Sequence, residues 1–345
     1  MGRASSLIRI PAAIMVGVAS FGETRAAAQE ANCFASALAT AGGAPALRGE
    51  AGWLFLASEL RFLAAGEFWG DAAADAGRAA NPAHRDPLEP IDDFNRQLRD
   101  VDISLLVVPV PPKALIYPAM LGCTRDEARP SLERLRRFYG LLRERGVDVL
   151  DLTETFLAPE ALAEGPLYCR TDTHWTGIGI RLAAERIADW LRAKGLAAAE
   201  EGGSAWSVEP REISITGDLG RLMGEDAREI VPVWRVAGPD GQPPRPDPSS
   251  PILLMGDSHV LVFSEGGDLH DVGSGLPEQL TARIGAPVDV LGVRGSGATT
   301  SRISLIRRIR SAPDFYKVKK AIVWCFAARE FTEADAWRFV PLPVQ

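Results

Sequence analysis

Serine reacts as a nucleophile only where a base can take its proton. In this chain of 345 residues the choice narrows quickly. Ser258 stands in Gly256-Asp257-Ser258-His259, directly after the apolar run Ile252-Leu253-Leu254-Met255. A serine on a tight, glycine-containing turn between strand and helix presents its oxygen outward, and its own N–H can help hold an oxyanion. Alone, the tetrapeptide reads equally well as a Ser/Asp turn that opens a helix.

The chain has four histidines. His84 falls in a polar loop with Asn81, Pro82 and Asp86, and His270 in an acidic loop; neither surrounding suggests catalysis. His259 follows Ser258, but adjacent side chains on a turn or helix start diverge, which leaves it a pocket-lining role. His174 is the candidate base. It lies in Thr171-Asp172-Thr173-His174-Trp175-Thr176-Gly177, just before a helical stretch. On an extended segment residues two apart point the same way, so Asp172 can hold the imidazole tautomer and stabilise the imidazolium. The plainer alternative has Asp172 capping a turn and His174 packing at the surface.

A second glycine turn adds to the case. Arg294-Gly295-Ser296-Gly297-Ala298-Thr299-Thr300 follows the apolar run Val288 to Val293 and leads into a helix. Such a turn aims backbone N–H groups at a developing anion, and Gly297 is the candidate donor beside Ser258. A dinucleotide-binding reading fails, because Thr300 takes the position of the third glycine. Beyond the last apolar run, Ile322 to Phe326, comes Ala327-Ala328-Arg329-Glu330. Arg329 either binds an anionic or hydroxyl-rich substrate or pairs with Glu330 or another carboxylate.

These residues need a scaffold, and the pattern supplies one. Ile103 to Val110 is a nearly continuous branched-apolar run, the mark of a strand buried on both faces, and Pro111-Pro112-Lys113 stops it. Pro130-Ser131 is expected to open a helix with apolar Leu132, Leu135, Phe138, Leu141 and Leu142 at three- and four-residue spacing. Gly146 ends it, and Val147 to Leu152 reads as the next strand. Helices are also expected over Gly177 to Lys194 and Ser301 to Arg310. Strand, helix, strand in this rhythm specifies an α/β fold with a doubly wound, mostly parallel sheet. Ligands of such sheets gather beyond the carboxyl ends of the strands, where all the turns above lie. Residues 29–345 read as one domain, with an insertion at about 198–251 between Gly202-Gly203 and a Pro-rich stretch.

Residues 1–28 read as a cleavable export signal: Arg3 and Arg9, a short apolar run from Ile10 to Phe21, and Ala26-Ala27-Ala28 before Gln29. An uncleaved N-terminal anchor is the alternative. The segment holds three Arg and one Glu, so its removal takes the net charge from −7 to −9. An acidic chain without a basic run is a poor general binder of nucleic acid. Cys33, Cys123, Cys169 and Cys325 can make up to two disulfides in an oxidising compartment, although Cys325 in its apolar run also reads as a buried thiol. No C-x-x-C or H-x-x-x-H occurs, so no metal is expected, and nothing calls for a cofactor.

Gly256-Asp257-Ser258 resembles the nucleophile block of the SGNH (GDSL-type) hydrolase superfamily, and Gly297 its oxyanion glycine. Ala327-Ala328-Arg329-Glu330 falls where that superfamily has Gly-x-Asn-Asp, with no Asn here and Arg329 in its place. The superfamily usually puts its Asp/His block last, whereas Asp172-Thr173-His174-Trp175 comes first. That permuted order is similar to the periplasmic alginate O-acetyltransferases of the AlgX/AlgJ type. Gly52-Trp53-Leu54-Phe55-Leu56, Glu59-Leu60-Arg61 and Leu167-Tyr168-Cys169-Arg170 look alike too.

The resemblance implies acetyl transfer through Ser258 onto a polysaccharide, with a membrane-bound acyltransferase supplying the acetyl groups. Trp175, Trp53, Arg329 and His259 would then touch substrate, although each Trp is more often core. A polysaccharide acetyl esterase and a non-catalytic glycan-binding assembly protein remain open.

Overall fold

The computed structural model describes residues 1–2, 32–197, 205–295 and 297–343. The chain divides into a unit Met1–Ala31 and a unit Asn32–Gln345, and every element named below lies in the second. Residues 3–28, almost all of the expected export signal, fall outside the described residues.

In chain order, helix α1 (Cys33–Thr40) is followed by the antiparallel pair β1 (Ala46–Arg48) and β2 (Leu54–Leu56), then α2 (Ala57–Ala64). Strand β3 (Ser104–Val110) leads into a short helix α3 (Lys113–Ile116), the long helix α4 (Arg125–Glu144) and a brief strand β4 (Asp148–Val149). Helix α5 (Gly177–Ala193) precedes an antiparallel ribbon, β5 (Ser207–Thr216) and β6 (Arg228–Ala237), whose connection carries α6 (Asp218–Leu222). Strand β7 (Ile252–Gly256) runs into α7 (Ser258–Leu261), then α8 (Leu276–Ile284), β8 (Asp289–Gly292), α9 (Thr299–Ser311), β9 (Ala321–Ala327) and α10 (Glu330–Glu333).

Among the described residues the central sheet is wholly parallel, in the order β4-β3-β9-β7-β8. The last strand in sequence, β9, is thus central: it pairs with β3 from Ser104↔Ala321 to Val110↔Ala327 and with β7 on its other side. Its residues are buried throughout, as a strand covered on both faces requires. The carboxyl ends of β3, β7 and β9 therefore converge, and the candidate turns leave from that rim. At the end of β7 the fit demands glycine. A Cβ on Gly256 would lie 1.6 Å from the Cys325 carbonyl oxygen of β9.

Three local expectations change. Helix α4 begins at Arg125, not at Pro130: the Thr124 hydroxyl accepts from Glu127 N–H while the Glu127 carboxylate accepts from Thr124 N–H, a reciprocal cap that outweighs the proline signal. The strand expected over Val147 to Leu152 pairs only at Asp148 and Val149, since Asp151 turns the chain by accepting from Thr153 N–H. Of the cysteines, Cys33 and Cys123 are joined, tying α1 to the turn before α4. Cys169 and Cys325 are buried free thiols, so a single disulfide forms among the described residues.

Candidate active site

Ser258 is the first residue of α7 and partly exposed at the sheet rim. Asp257, just before it, is buried and caps the helix. Its Oδ1 accepts from His259 N–H at 2.9 Å and its Oδ2 from Ala327 N–H of β9 at 2.7 Å. The nucleophile turn is thus bolted to the neighbouring strand through one carboxylate. Burial works against that charge, but His259, Arg329 and the Ala327 N–H outweigh it and hold the Asp257 carboxyl well below the usual range.

His174 meets Ser258 although 84 residues separate them: Ser258 Oγ lies 2.7 Å from His174 Nε2. On the other side of the ring, His174 Nδ1 lies 2.6 Å from Asp172 Oδ1. An ionised carboxylate only accepts, so Nδ1 carries the hydrogen and Nε2 is left free to take the serine proton. Both side chains are almost wholly enclosed. Burial opposes charge on each, yet for Asp172 the charge and hydrogen bond of His174 and the bond from His270 prevail, holding the carboxyl well below its ordinary range. For His174 burial likewise pushes down, but Asp172, with Asp218 and Asp257, raises the imidazole above the ordinary histidine value.

The Asp172–His174 segment is held from three sides. Lys113, 2% exposed at the start of α3, donates from Nζ to the carbonyls of Leu54, Arg170 and Asp172 at 2.7, 2.9 and 3.0 Å. Asp218 of α6 donates its N–H to Asp172 Oδ2 at 2.8 Å, while its carboxylate takes Thr173 N–H and Oγ1–H at 2.7 and 2.5 Å. Glu229 of β6 accepts from the N–H groups of Arg170 and Thr171. The stretch between α5 and β7 therefore completes the site. The donor atoms of Asp172, His174 and Asp218 also lie within 4.8 Å of one another, close enough to hold a cation. In this arrangement the carboxylates are instead engaged by N–H and O–H donors.

Gly297 packs against the nucleophile turn. A Cβ there would lie 2.4 Å from Phe326 Cβ and 3.3 Å from Asp257 N, so only glycine brings the two backbones this close. Its carbonyl accepts from Trp324 Nε1 at 2.7 Å and from the Ser301 hydroxyl, which fixes the peptide. Neither Ser258 N–H nor Gly297 N–H has an acceptor among the described residues.

The expected substrate contacts fare differently. Trp175 is fully enclosed, and His259 is 2% exposed with its ring 4.9 Å from His174 and 5.4 Å from Trp175. Neither has surface to offer a polymer; both form the wall behind the triad. Trp53 is likewise buried, tilted against Tyr117 with ring centroids 4.4 Å apart and its ring 5.2 Å from the Lys113 ammonium. Arg329 is half-buried, makes no ion pair with a described carboxylate, and acts electrostatically on Asp257 and His259. Four residues at the site are not evident from sequence, Asp218 and Glu229 of the expected insertion among them. Lys113 reads there only as the end of a strand, although a lysine leading into apolar Ala114-Leu115-Ile116 was a signal of burial. His270 donates to Asp172 Oδ2 at 3.0 Å, and nothing in its acidic surroundings pointed there.

Known proteins resemble this chain in sequence and in fold. The family model for the SGNH hydrolase-like domain of acetyltransferase AlgX matches residues 46–328. A probable alginate O-acetylase AlgJ from Pseudomonas putida is 33% identical over 95 residues, 27% of this chain and 23% of the relative's length. The chain thus aligns with less than a quarter of that relative. In structure it resembles the O-acetyltransferase domain of Pseudomonas putida AlgJ, with a TM-score of 0.57 at 19% identity over 83% of this chain and 92% of that one. AlgX of Pseudomonas aeruginosa follows at 0.56 and 18%, over 84% and 66%. At such identities the structural likeness speaks for the fold alone, whereas the family model spans most of the sequence: the chain belongs to the AlgX family of SGNH hydrolase-like acetyltransferase domains.

Proposed function

We propose that this chain is a serine-dependent O-acetyltransferase that carries an acetyl group on Ser258 to hydroxyls of an exported polysaccharide, alginate or a similar exopolysaccharide. The observation that carries the reading is the unbroken relay from Ser258 Oγ through His174 to Asp172, at 2.7 and 2.6 Å.

In the first half-reaction His174 Nε2 takes the Ser258 proton as Oγ bonds to the acetyl carbonyl carbon. The oxyanion is held by the N–H groups of Ser258 and Gly297, and Asp172 stabilises the imidazolium. Collapse breaks the bond to the donor oxygen, which leaves with the proton from Nε2. In the second, a sugar hydroxyl gives its proton to Nε2 and attacks the acetyl-serine. The product ester leaves and the proton returns to Ser258 Oγ.

The acceptor class follows the relatives, which are named as alginate O-acetylases. Export to the periplasm is supported by the signal-like residues 1–28 and by the Cys33–Cys123 disulfide, which belongs to an oxidising compartment. Among the described residues no helix is long and apolar enough to cross a membrane. The acetyl donor would come through a membrane-bound acyltransferase.

A chromogenic acetyl ester tests the relay: Ser258→Ala should lower turnover at least about 10⁴-fold. Undiminished turnover in that variant sinks the reading. Adding an oligouronate acceptor and weighing the products by mass spectrometry separates transfer from hydrolysis: acetylated sugar supports a transferase, and acetate alone shows an esterase.

A further inference from the structure

Asp172 is held by two imidazoles. Its Oδ1 accepts from His174 N–H and Nδ1–H at 2.9 and 2.6 Å, and its Oδ2 from Asp218 N–H and His270 Nε2–H at 2.8 and 3.0 Å. That fills the lone pairs of a carboxylate. His270 comes from the loop between α7 and α8, 98 residues away in sequence, and its side chain is only 6% exposed.

The loop is contorted to make this contact. His270 has φ 78° and ψ −72°, a tight turn closed by Asp271 N–H on the Leu269 carbonyl at 3.2 Å. This is the rare, strained form of the three-residue turn, which costs energy for any residue with a Cβ. The loop is braced around it: Phe263 N–H meets the Leu269 carbonyl, Gly266 N–H the Asp271 carbonyl and Ser274 N–H the Phe263 carbonyl, each at 2.9 Å. Glycine would sit at position 270 without strain, but it would bring no donor.

We infer that His270 is a positioning residue for acyl transfer, locking the Asp172 carboxylate so that Oδ1 stays on His174 Nδ1 while the imidazolium forms. The inference rests on the serine relay proposed above. With Oδ2 held only by the Asp218 N–H, the carboxylate pivots about its Cβ–Cγ bond and the 2.6 Å contact loosens. The loss falls on turnover and not on substrate binding, because His270 touches Asp172 and not Ser258.

The titratable and charged groups around the pair are His174 and Lys113, Asp218 of α6, Asp257 beside His174, and Asp271 next to His270. Loosening the Asp172 contact takes carboxylate support from the His174 imidazolium, so the acid limb of the pH–rate profile moves to lower pH.

The test uses the full chain and 4-nitrophenyl acetate, with rates normalised to the folded fraction by near-ultraviolet circular dichroism. His270→Leu should lower kcat about ten- to a hundredfold with KM within about twofold, as expected for a lost hydrogen bond to a charged group. His270→Gln, whose amide nitrogen reaches roughly where Nε2 lies, should recover to within about threefold of the parent. If the leucine form does not fold, His270→Asn replaces it, being too short to reach Asp172 but tolerant of positive φ. Equal kcat in parent and His270→Leu, with Ser258→Ala inactive, overturns this inference and leaves the relay standing. So does a glutamine form as slow as the leucine form, which marks a packing role only. An active Ser258→Ala overturns the relay itself.

Discussion

The molecule carries the same local device twice. Asp172 and His174 stand two residues apart, as do Asp257 and His259. In each pair the aspartate Oδ1 accepts both the histidine N–H, at 2.9 Å, and its Nδ1–H, at 2.6 and 3.1 Å respectively. Both pairs are buried. Yet the two imidazoles move in opposite directions. His174, where burial is outweighed by Asp172, Asp218 and Asp257, is raised. His259, lowered first by burial and then by His174 and Arg329 despite the pull of Asp257, stays below the ordinary value. The far side of each ring differs as well, with His174 Nε2 on Ser258 and the His259 ring packed against Trp175. The same Asp-x-His pairing thus holds both imidazoles, and the surroundings of each ring decide which way its proton affinity moves.

The largest effect should come from exchanging the two histidines for glutamine or alanine one at a time. His174→Ala is expected to lower ester turnover about 10⁴- to 10⁶-fold, and His259→Gln less than about tenfold. Comparable losses in steady-state assays would mean that both rings act in the reaction. Next comes the clamp that only the first pair possesses. Lys113→Met leaves the Leu54 and Asp172 carbonyls without a donor and the Arg170 carbonyl with the Leu54 N–H alone. We expect a loss of about 3–5 kcal/mol in urea unfolding, together with reduced activity, because each unmet buried acceptor costs about 1–3 kcal/mol. An unchanged midpoint would show that water replaces the ammonium.

The smallest effect is on pH. In the proposed relay the neutral form of His174 takes the proton, and its folded-state value is raised, so kcat/KM should fall as pH drops through a midpoint above the ordinary histidine value of about 6.5. His259→Gln should move that limb by less than about 0.3 units. A larger move would show that the second imidazole, not the first, sets the limb.

Much of this was legible in the sequence because it rests on short-range rules. A branched-apolar run gives β3, a 3.6-residue rhythm gives α5, and two-residue spacing brings Asp172 to His174, through a bend closed by His174 N–H on Asp172 Oδ1 and not through an extended segment. The pairing of His174 with Ser258 follows from elimination among the four histidines, for only Ser258 stands at a strand's end and His174 precedes helix α5. What escaped depends on long-range packing. His270 reaches Asp172 through a strained loop with no periodicity to announce it. Lys113 is a charge that three main-chain carbonyls make tolerable, and they come from two segments far apart in sequence. Trp175 next to the motif suggested a sugar platform, but its place in the chain says nothing of burial, and it lies inside. The start of α4 was misjudged because Pro130 is a loud signal and the Thr124–Glu127 cap a quiet one.

The short link between β5 and β6 bears on how such a domain diversifies. Its Asp218 grips Asp172 by a main-chain N–H and the neighbouring Thr173 by a carboxylate, while the first half of β5 lies exposed. Insertions or rewiring in that link would reset reactivity from outside the reacting trio. Descendants of this scaffold could thus drift toward faster or more sparing chemistry while Ser258, His174 and Asp172 stay letter for letter the same.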